Sequence, residues 1–227
     1  MTKSDEVGSP PGGGRASGPP PLPVRLMGKG LSALIVRVPA MWPLLRRPSR
    51  RFWNKMAQEW DHRIDPQSPD HLAPLLAACE RVERSPRRIL EIGTGTGAGA
   101  IWLAGRFPQA QVVGVDLSPA MVQAATAKNP SELDQRLRFI VADANDLPFE
   151  NREFDLITQL NVPVYVDELT RVAGAGCSII VASSLGPATP YFTPHSLLRR
   201  RFEGRGLRVV ADGQVGKSTF LVVHRPE

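Results

Sequence analysis

Glu91, Gly93, Gly95, Gly97 and Asp116 are the residues whose types and spacing promise chemistry. They stand in ILEIGTGTG, residues 89–97, and in VVGVDLS, residues 112–118. Glycines at alternate positions let the backbone reach positive φ and keep side chains away from a bound group, so this turn is expected to offer bare N–H groups at a helix N-terminus. Asp116 follows the glycines by about twenty residues, the spacing at which one carboxylate accepts both hydroxyls of a ribose. A glycine-rich turn that binds nothing has the same outline. Glu91 narrows the choice among ligands: an acid two residues before the first glycine repels a pyrophosphate seated over the turn and favours a ligand with a cationic end.

The loop resembles the first motif of the class I S-adenosylmethionine (SAM) methyltransferases, an acid-x-Gly-x-Gly-x-Gly pattern that EIGTGTG at 91–97 matches at every defined position. The resemblance extends from about Arg88 to Arg225, roughly three fifths of the chain. It implies SAM as cofactor and methyl transfer as activity. By the same resemblance Glu91 holds the amino end of the cofactor, Gly93, Thr94, Gly95 and Gly97 give it backbone contact, and Asp116, with Leu117 beside it, takes the ribose. Asp143 and Ala144, at the end of a third strand, fall where the family places an acid on the adenine amino group and a backbone N–H on a ring nitrogen. Asp143 also suits an Asx turn that merely ends the strand.

Acceptor chemistry has three candidates: Asn161, Tyr165 and His195. NVPVY at 161–165 is similar to the Asn-Pro-Pro-Tyr motif of amino-directed DNA and protein methyltransferases, with a valine intruding between Asn161 and Pro163. His195 is either a base or an exposed histidine in the first turn of a helix. No metal-ligand spacing occurs. Methyl transfer needs placement of an electrophile in line with a nucleophile more than it needs acid or base groups, which accounts for the absence of a triad.

The elements that must position these residues alternate. Strands are predicted at 88–92, 111–115, 137–142, 154–160 and about 177–183, with helices at 98–107 and from Pro119, capped by Ser118, to about Lys128. Gly174 and Gly176 are expected to cap the helix of DELTRV, and Thr193 the helix that begins at Pro194. GLRVVADG and KSTFLVVH read as a terminal hairpin. The fold expected is α/β, a three-layer sandwich whose seven-stranded, mostly parallel, doubly wound sheet ends in an antiparallel hairpin, with a helical N-terminal extension.

Composition divides the chain into a Gly/Pro-rich tail at 1–24, expected to be disordered, a basic segment at 25–85 and the SAM-binding domain at 86–227. Between 25 and 63, nine Lys and Arg face two acids, a balance of +7 where the whole chain carries +6. LSALIVRVPAMWPLL at 31–45 is too short and too interrupted to span a bilayer. A helix capped by Ser49 is expected to follow, with Trp53, Met56, Ala57, Trp60 and Ile64 on one face. Another helix is expected from Asp70 to Val82. The basic segment reads either as a lid over the core or as a surface resting on anionic lipid. Cys79 and Cys177 are isolated and no secretory signal is seen, so the expected place is the cytoplasm, with peripheral membrane contact as an addition.

A small or lipophilic acceptor is expected. A methyltransferase acting on RNA or protein is the alternative; a nucleic-acid-binding protein fits less well, because the positive charge lies outside the sheet domain and no aromatic interleaving accompanies it. A non-catalytic SAM-binding protein and an NAD-dependent oxidoreductase are the rivals. Glu91 and the lack of a Tyr-x-x-x-Lys pair argue against the second. Oligomeric state is not legible.

Overall fold

The computed structural model describes residues 41–65 and 68–227. The tail at 1–24, Arg25, Lys29, Arg37 and most of the apolar run at 31–45 lie outside the described residues.

Strand β1 (Arg88–Ile92) is buried at four of its five positions, as a strand covered on both faces must be. Around it stand β2 (Gln111–Asp116), β3 (Leu137–Val141), β4 (Phe154–Leu160), β5 (Ala173–Ser183), β6 (Arg208–Val215) and β7 (Ser218–His224), in the order β3-β2-β1-β4-β5-β7-β6. The first five pair in parallel, and β7 runs antiparallel to both β5 and β6. The order reverses between β1 and β4, and the carboxyl end of that junction is where an open α/β sheet leaves a crevice.

Helices α1 (Trp42–Met56), α2 (Trp60–Ile64) and α3 (Pro69–Cys79) precede the sheet. Helices α4 (Ala98–Arg106), α5 (Pro119–Ala127), α6 (Val166–Val172) and α7 (His195–Glu203) connect its strands. On one face Leu72, Leu75 and Leu103 from α3 and α4 pack over Ile89, Leu156 and Val222. On the other, Leu169, Leu198 and Phe202 from α6 and α7 cover Leu90, Ile157 and Leu221. The two sets come from adjacent strand positions, which point to opposite faces. This is the three-layer sandwich that the alternation implied.

Four local expectations are corrected. Ser49 does not cap a helix but lies inside α1, which starts at Trp42 and carries Pro43 in its first turn and Pro48 within it. Pro43 costs no hydrogen bond there, because first-turn N–H groups have no intrahelical partner. The face from Trp53 to Ile64 is split, with α1 ending at Met56 and α2 starting at Trp60. Gly174 and Gly176 cap nothing, since α6 ends at Val172 and β5 begins at Ala173. They serve a bulge: the β4–β5 register shifts between Phe154 and Leu156, a Cβ on Gly174 would stand 3.1 Å from the Phe154 carbonyl oxygen, and Gly176 has φ 71°. Thr193 makes no cap either; α7 is entered through Pro194, and the buried Thr193 hydroxyl has no partner among the described residues. Ser118 does cap α5, accepting the Met121 N–H at 3.2 Å.

Candidate functional site

A cavity opens at the carboxyl ends of β1, β2 and β4, with Glu91, Gly93, Gly95, Asp116, Leu117, Ala144, Asn161 and Tyr165 in its walls. The glycine loop is held in place by β2: Gly93 and Thr94 donate to the Val115 carbonyl at 2.8 and 2.9 Å. Gly97 donates to Thr94 O at 2.9 Å, and Gly95 donates to Asp116 Oδ2 at 3.0 Å. The glycine amides are therefore not bare: those of Gly93 and Gly95 are taken by β2 and that of Gly97 by the turn itself. What Gly93 and Gly95 leave in the cavity is wall without their own side chains, whereas Gly97 does not line it and a Cβ there would stand 3.0 Å from the Phe139 ring. A Cβ on Gly95 would have only the Trp60 indole within reach, at 3.7 Å, whereas one on Gly93 would overlap Val162 at 2.1 Å. All three have positive φ, at 70°, 55° and 91°.

Glu91 is 4% exposed. It accepts from the Thr94 hydroxyl and from the Ala100 N–H at the start of α4. Burial pushes its carboxyl up to about 7; the Thr94 and Ala100 bonds pull down and Asp116 pushes up. Gly99 makes room for it, since a Cβ there would lie 1.9 Å from Glu91 Oε1. Asp116 accepts from Gly95 and, at 2.9 Å, from Ser118 N–H. Burial raises its carboxyl above the ordinary aspartate range while the Ser118, Gly95 and Leu117 amides oppose that rise.

Asp143 ends the strand with an Asx turn, taking the Asn145 N–H on Oδ1 at 3.0 Å. Both its oxygens also lie 2.8 Å from the indole nitrogen of Trp42. Asn161 sits in the left-handed region at φ 59° and clasps Ser184, donating from Nδ2 at 2.8 Å and accepting the Ser184 N–H at 2.9 Å. Its amide thereby ties the end of β4 to the end of β5 beside the cavity. Tyr165 is 8% exposed, packs edge-on against Trp42 at 5.5 Å, and its hydroxyl has no partner among the described residues. Burial drives that hydroxyl far above its usual range. His195 is elsewhere: its Nδ1 lies 2.6 Å from Asp212 Oδ1, between α7 and β6, and it does not line the cavity.

The roof adds Trp42 and Tyr191, which no motif revealed, to Trp53, Trp60 and Tyr165. Three of the four tryptophans (Trp42, Trp53, Trp60) and both tyrosines (Tyr165, Tyr191) line the cavity. Trp53 stacks edge-on with Trp60 at 5.2 Å, and its indole donates to Tyr191. Helix α1 is tied down by Asn54 Oδ1, which accepts from Ser118 Oγ at 2.6 Å. Helix α2 is tied down by Asp61, which accepts from Thr96 Oγ1 at 2.6 Å and pairs with Lys128. The signal available in the sequence was the aromatic spacing of Trp53 and Trp60; Trp42 and Tyr191 had none. His71, at the start of α3, also lines the cavity, and burial lowers its pKa against the pull of Asp65. Among the described residues no group of His, Cys, Asp and Glu could hold a metal ion.

Residues 89–175 match the model of a family described as a methyltransferase domain. The chain is 33% identical over 154 residues to a demethylmenaquinone methyltransferase of Deinococcus radiodurans, covering 64% of this chain and 63% of the relative. It is 31% identical over 151 residues to a malonyl-[acyl-carrier protein] O-methyltransferase of Halorhodospira halophila, covering 63% of this chain and 50% of the relative. The chain thus spans less than two thirds of the length of these relatives. Among solved structures, a SAM-dependent methyltransferase from Aquifex aeolicus superposes with a TM-score of 0.62 over 75% of this chain and 97% of that one, at 19% identity, and shares the fold.

Proposed function

We propose, for a chain whose residues 89–175 belong to the methyltransferase domain family, methyl transfer from SAM to a small lipophilic acceptor. The observation that carries it is the cavity itself: a buried acid, Glu91, a half-buried one, Asp116, and a glycine loop at the switch point, under a roof of aromatic rings. The residues present fit the cofactor. Gly95 leaves open wall, Glu91 offers a buried carboxyl to an ammonium, and Leu117 and Ala144 line the cavity where they pack against Trp42 and Tyr165. When bound, SAM supplies an electrophilic methyl on a sulfonium.

The chain's own part is placement and exclusion of water. Asp116 lines the cavity with its carboxyl oriented by the Gly95, Leu117 and Ser118 amides, which leaves it acceptor capacity for a ribose hydroxyl. Trp53, Trp60 and Tyr191 give an apolar lining that suits a flat or hydrocarbon acceptor, and the quinone named for the Deinococcus relative is of that kind. His71 is the group for an acceptor that must shed a proton. Its lowered pKa leaves a neutral imidazole facing the cavity at neutral pH.

The outer face of α1 extends the reading to where the acceptor is met. Arg46, Arg47, Arg50, Arg51 and Lys55 are exposed there, with Leu44 69% and Phe52 36% exposed among them. No ion pair engages those five cations among the described residues. A basic strip carrying exposed apolar side chains suits an anionic lipid surface. No helix of the described residues is long and apolar enough to cross a membrane, so the contact would be peripheral.

Thermal shift tests the core of the proposal. SAM and S-adenosylhomocysteine should raise the melting temperature by mass action, while NAD and NADP at equal concentration should not. Stabilisation by NAD alone would overturn it.

A further inference from the structure

The cavities, clusters, patches and unused buried groups of the molecule yield one arrangement that neither the fold nor the family match requires: the seat of Trp42. We propose that the Trp42 indole is a built-in occupant of the purine subsite, which the cofactor must displace in order to bind. The inference rests on the SAM reading above, in which Asp143 and its neighbours receive the adenine.

Trp42 is 5% exposed and forms a small buried cluster with Tyr165, against which Leu117 and Ala144 pack. Its indole nitrogen lies 2.8 Å from both Oδ1 and Oδ2 of Asp143. Asp143 and Ala144 are the residues that the motif order assigns to the adenine, and Leu117 stands beside the acid that it assigns to the ribose. An indole matches a purine in kind, being a flat fused bicycle that presents an N–H to a carboxylate. With Asn145 already on Oδ1 at 3.0 Å, the indole leaves that carboxylate little room for a second edge-on donor. Ring and adenine therefore compete for one seat.

The same helix shows how the seat can be vacated. Trp42 is the first residue of α1, preceded by Met41, which makes no side-chain cap, and followed by a first turn without an acid. A helix end without such support has no cap bond to break, so opening it costs what Trp42 itself loses, its burial and its bond to Asp143. Farther along, Asn54 holds α1 to Ser118, and Asp61 holds α2 to Thr96 and Lys128. Only the first turn has to move, while the Trp53 and Trp60 roof stays. Cofactor affinity is then set by the difference between two occupants of Asp143, and Trp42 lowers it.

The test is calorimetry of the full chain and its Trp42→Phe variant with S-adenosylhomocysteine. Phenylalanine keeps a buried ring but has no N–H to offer Asp143, so the variant should bind roughly tenfold tighter, the worth of one charge-assisted hydrogen bond no longer to be broken. Tryptophan emission gives a second readout independent of the variant's folding margin. In the wild type the ligand should shift emission to the red as Trp42 enters water, and that component should be missing from Trp42→Phe. Binding to the wild type with equal or weaker binding to Trp42→Phe, or no red shift, makes Trp42 a wall of the site and overturns this inference alone. Failure of both proteins to bind overturns the SAM reading and this one together.

Discussion

Glu91 is a carboxyl that the fold keeps at a cost. In the unfolded chain it titrates near 4.5, and burial moves it to about 7, so between those values the folded protein holds the extra proton and stability falls as pH rises. Above pH 7 the loss is complete, on the order of 3 kcal/mol before any discount. Glu91→Gln should therefore raise the melting temperature at pH 8 and leave it nearly unchanged at pH 4.5; an equal gain at both would deny the shift. Near pH 6, ligand binding through an ammonium should expel a proton from Glu91, seen as a buffer-dependent binding enthalpy that Glu91→Gln lacks. Gly99 belongs to the same arrangement, since its missing Cβ is where Glu91 Oε1 sits. Gly99→Ala should cost about 1–3 kcal/mol by overpacking, and less in a Glu91→Ala background, where the obstructing carboxyl is gone. Urea unfolding of the four proteins gives the coupling. His71 makes a kinetic prediction: as the base it must be neutral, so kcat/KM should rise with pH through a value below 6.5. His71→Ala should remove that limb without changing S-adenosylhomocysteine affinity.

At the scale of elements, the sequence was legible where one local cause decides the structure. The run from Ile89 to Gly97 announces a buried strand, a positive-φ turn and a helix start, and β1, the loop and α4 follow it. Ser118 before Pro119 announces a cap, and it is one. Legibility failed where a partner far along the chain decides. Gly174 and Gly176 looked like a helix terminator, but the carbonyls of Phe154 and Arg152 lie against Gly174, and only the sheet explains the bulge. The apolar run at 31–45 was read as interrupted, yet α1 begins within it, with Pro43 in a first turn where it costs no hydrogen bond. The motifs thus pointed to Glu91, Gly93, Gly95, Asp116, Leu117 and Ala144, which the fold brings to the wall of one cavity. In the roof, Trp53 and Trp60 carried a helical-spacing signal and Trp42 carried none, because it meets Asp143 across 101 residues. One consequence is measurable in β5. Gly176→Ala places a side chain at φ 71°, which costs about 1–2 kcal/mol. The denaturation midpoint should fall accordingly, with cofactor affinity preserved, since Gly176 is not among the cavity-lining residues.

The whole molecule joins a cavity and a charged face through one helix. Helix α1 sends Trp42 and Trp53 inward to the site and Arg46, Arg47, Arg50, Arg51 and Lys55 outward. Deleting the helix would therefore not isolate membrane contact, because it would strip the cavity of its roof. Charge reversal on the outer face separates the two. Each cation near an anionic bilayer contributes about 1 kcal/mol, and salt weakens that contribution as the Debye length shortens. The intact chain should co-sediment with vesicles rich in phosphatidylserine at low salt and release as salt rises. It should ignore neutral phosphatidylcholine vesicles. Replacing Arg46, Arg47, Arg50 and Arg51 together by Glu should abolish sedimentation, while calorimetry with S-adenosylhomocysteine shows the cavity intact. Leu44→Ser with Phe52→Ser should weaken binding without altering its salt dependence, since those side chains contribute apolar burial rather than charge. If the charge-reversed protein still sediments, or the intact chain binds neutral vesicles equally well, the strip on α1 is a solvated face. The acceptor would then have to reach the cavity from water.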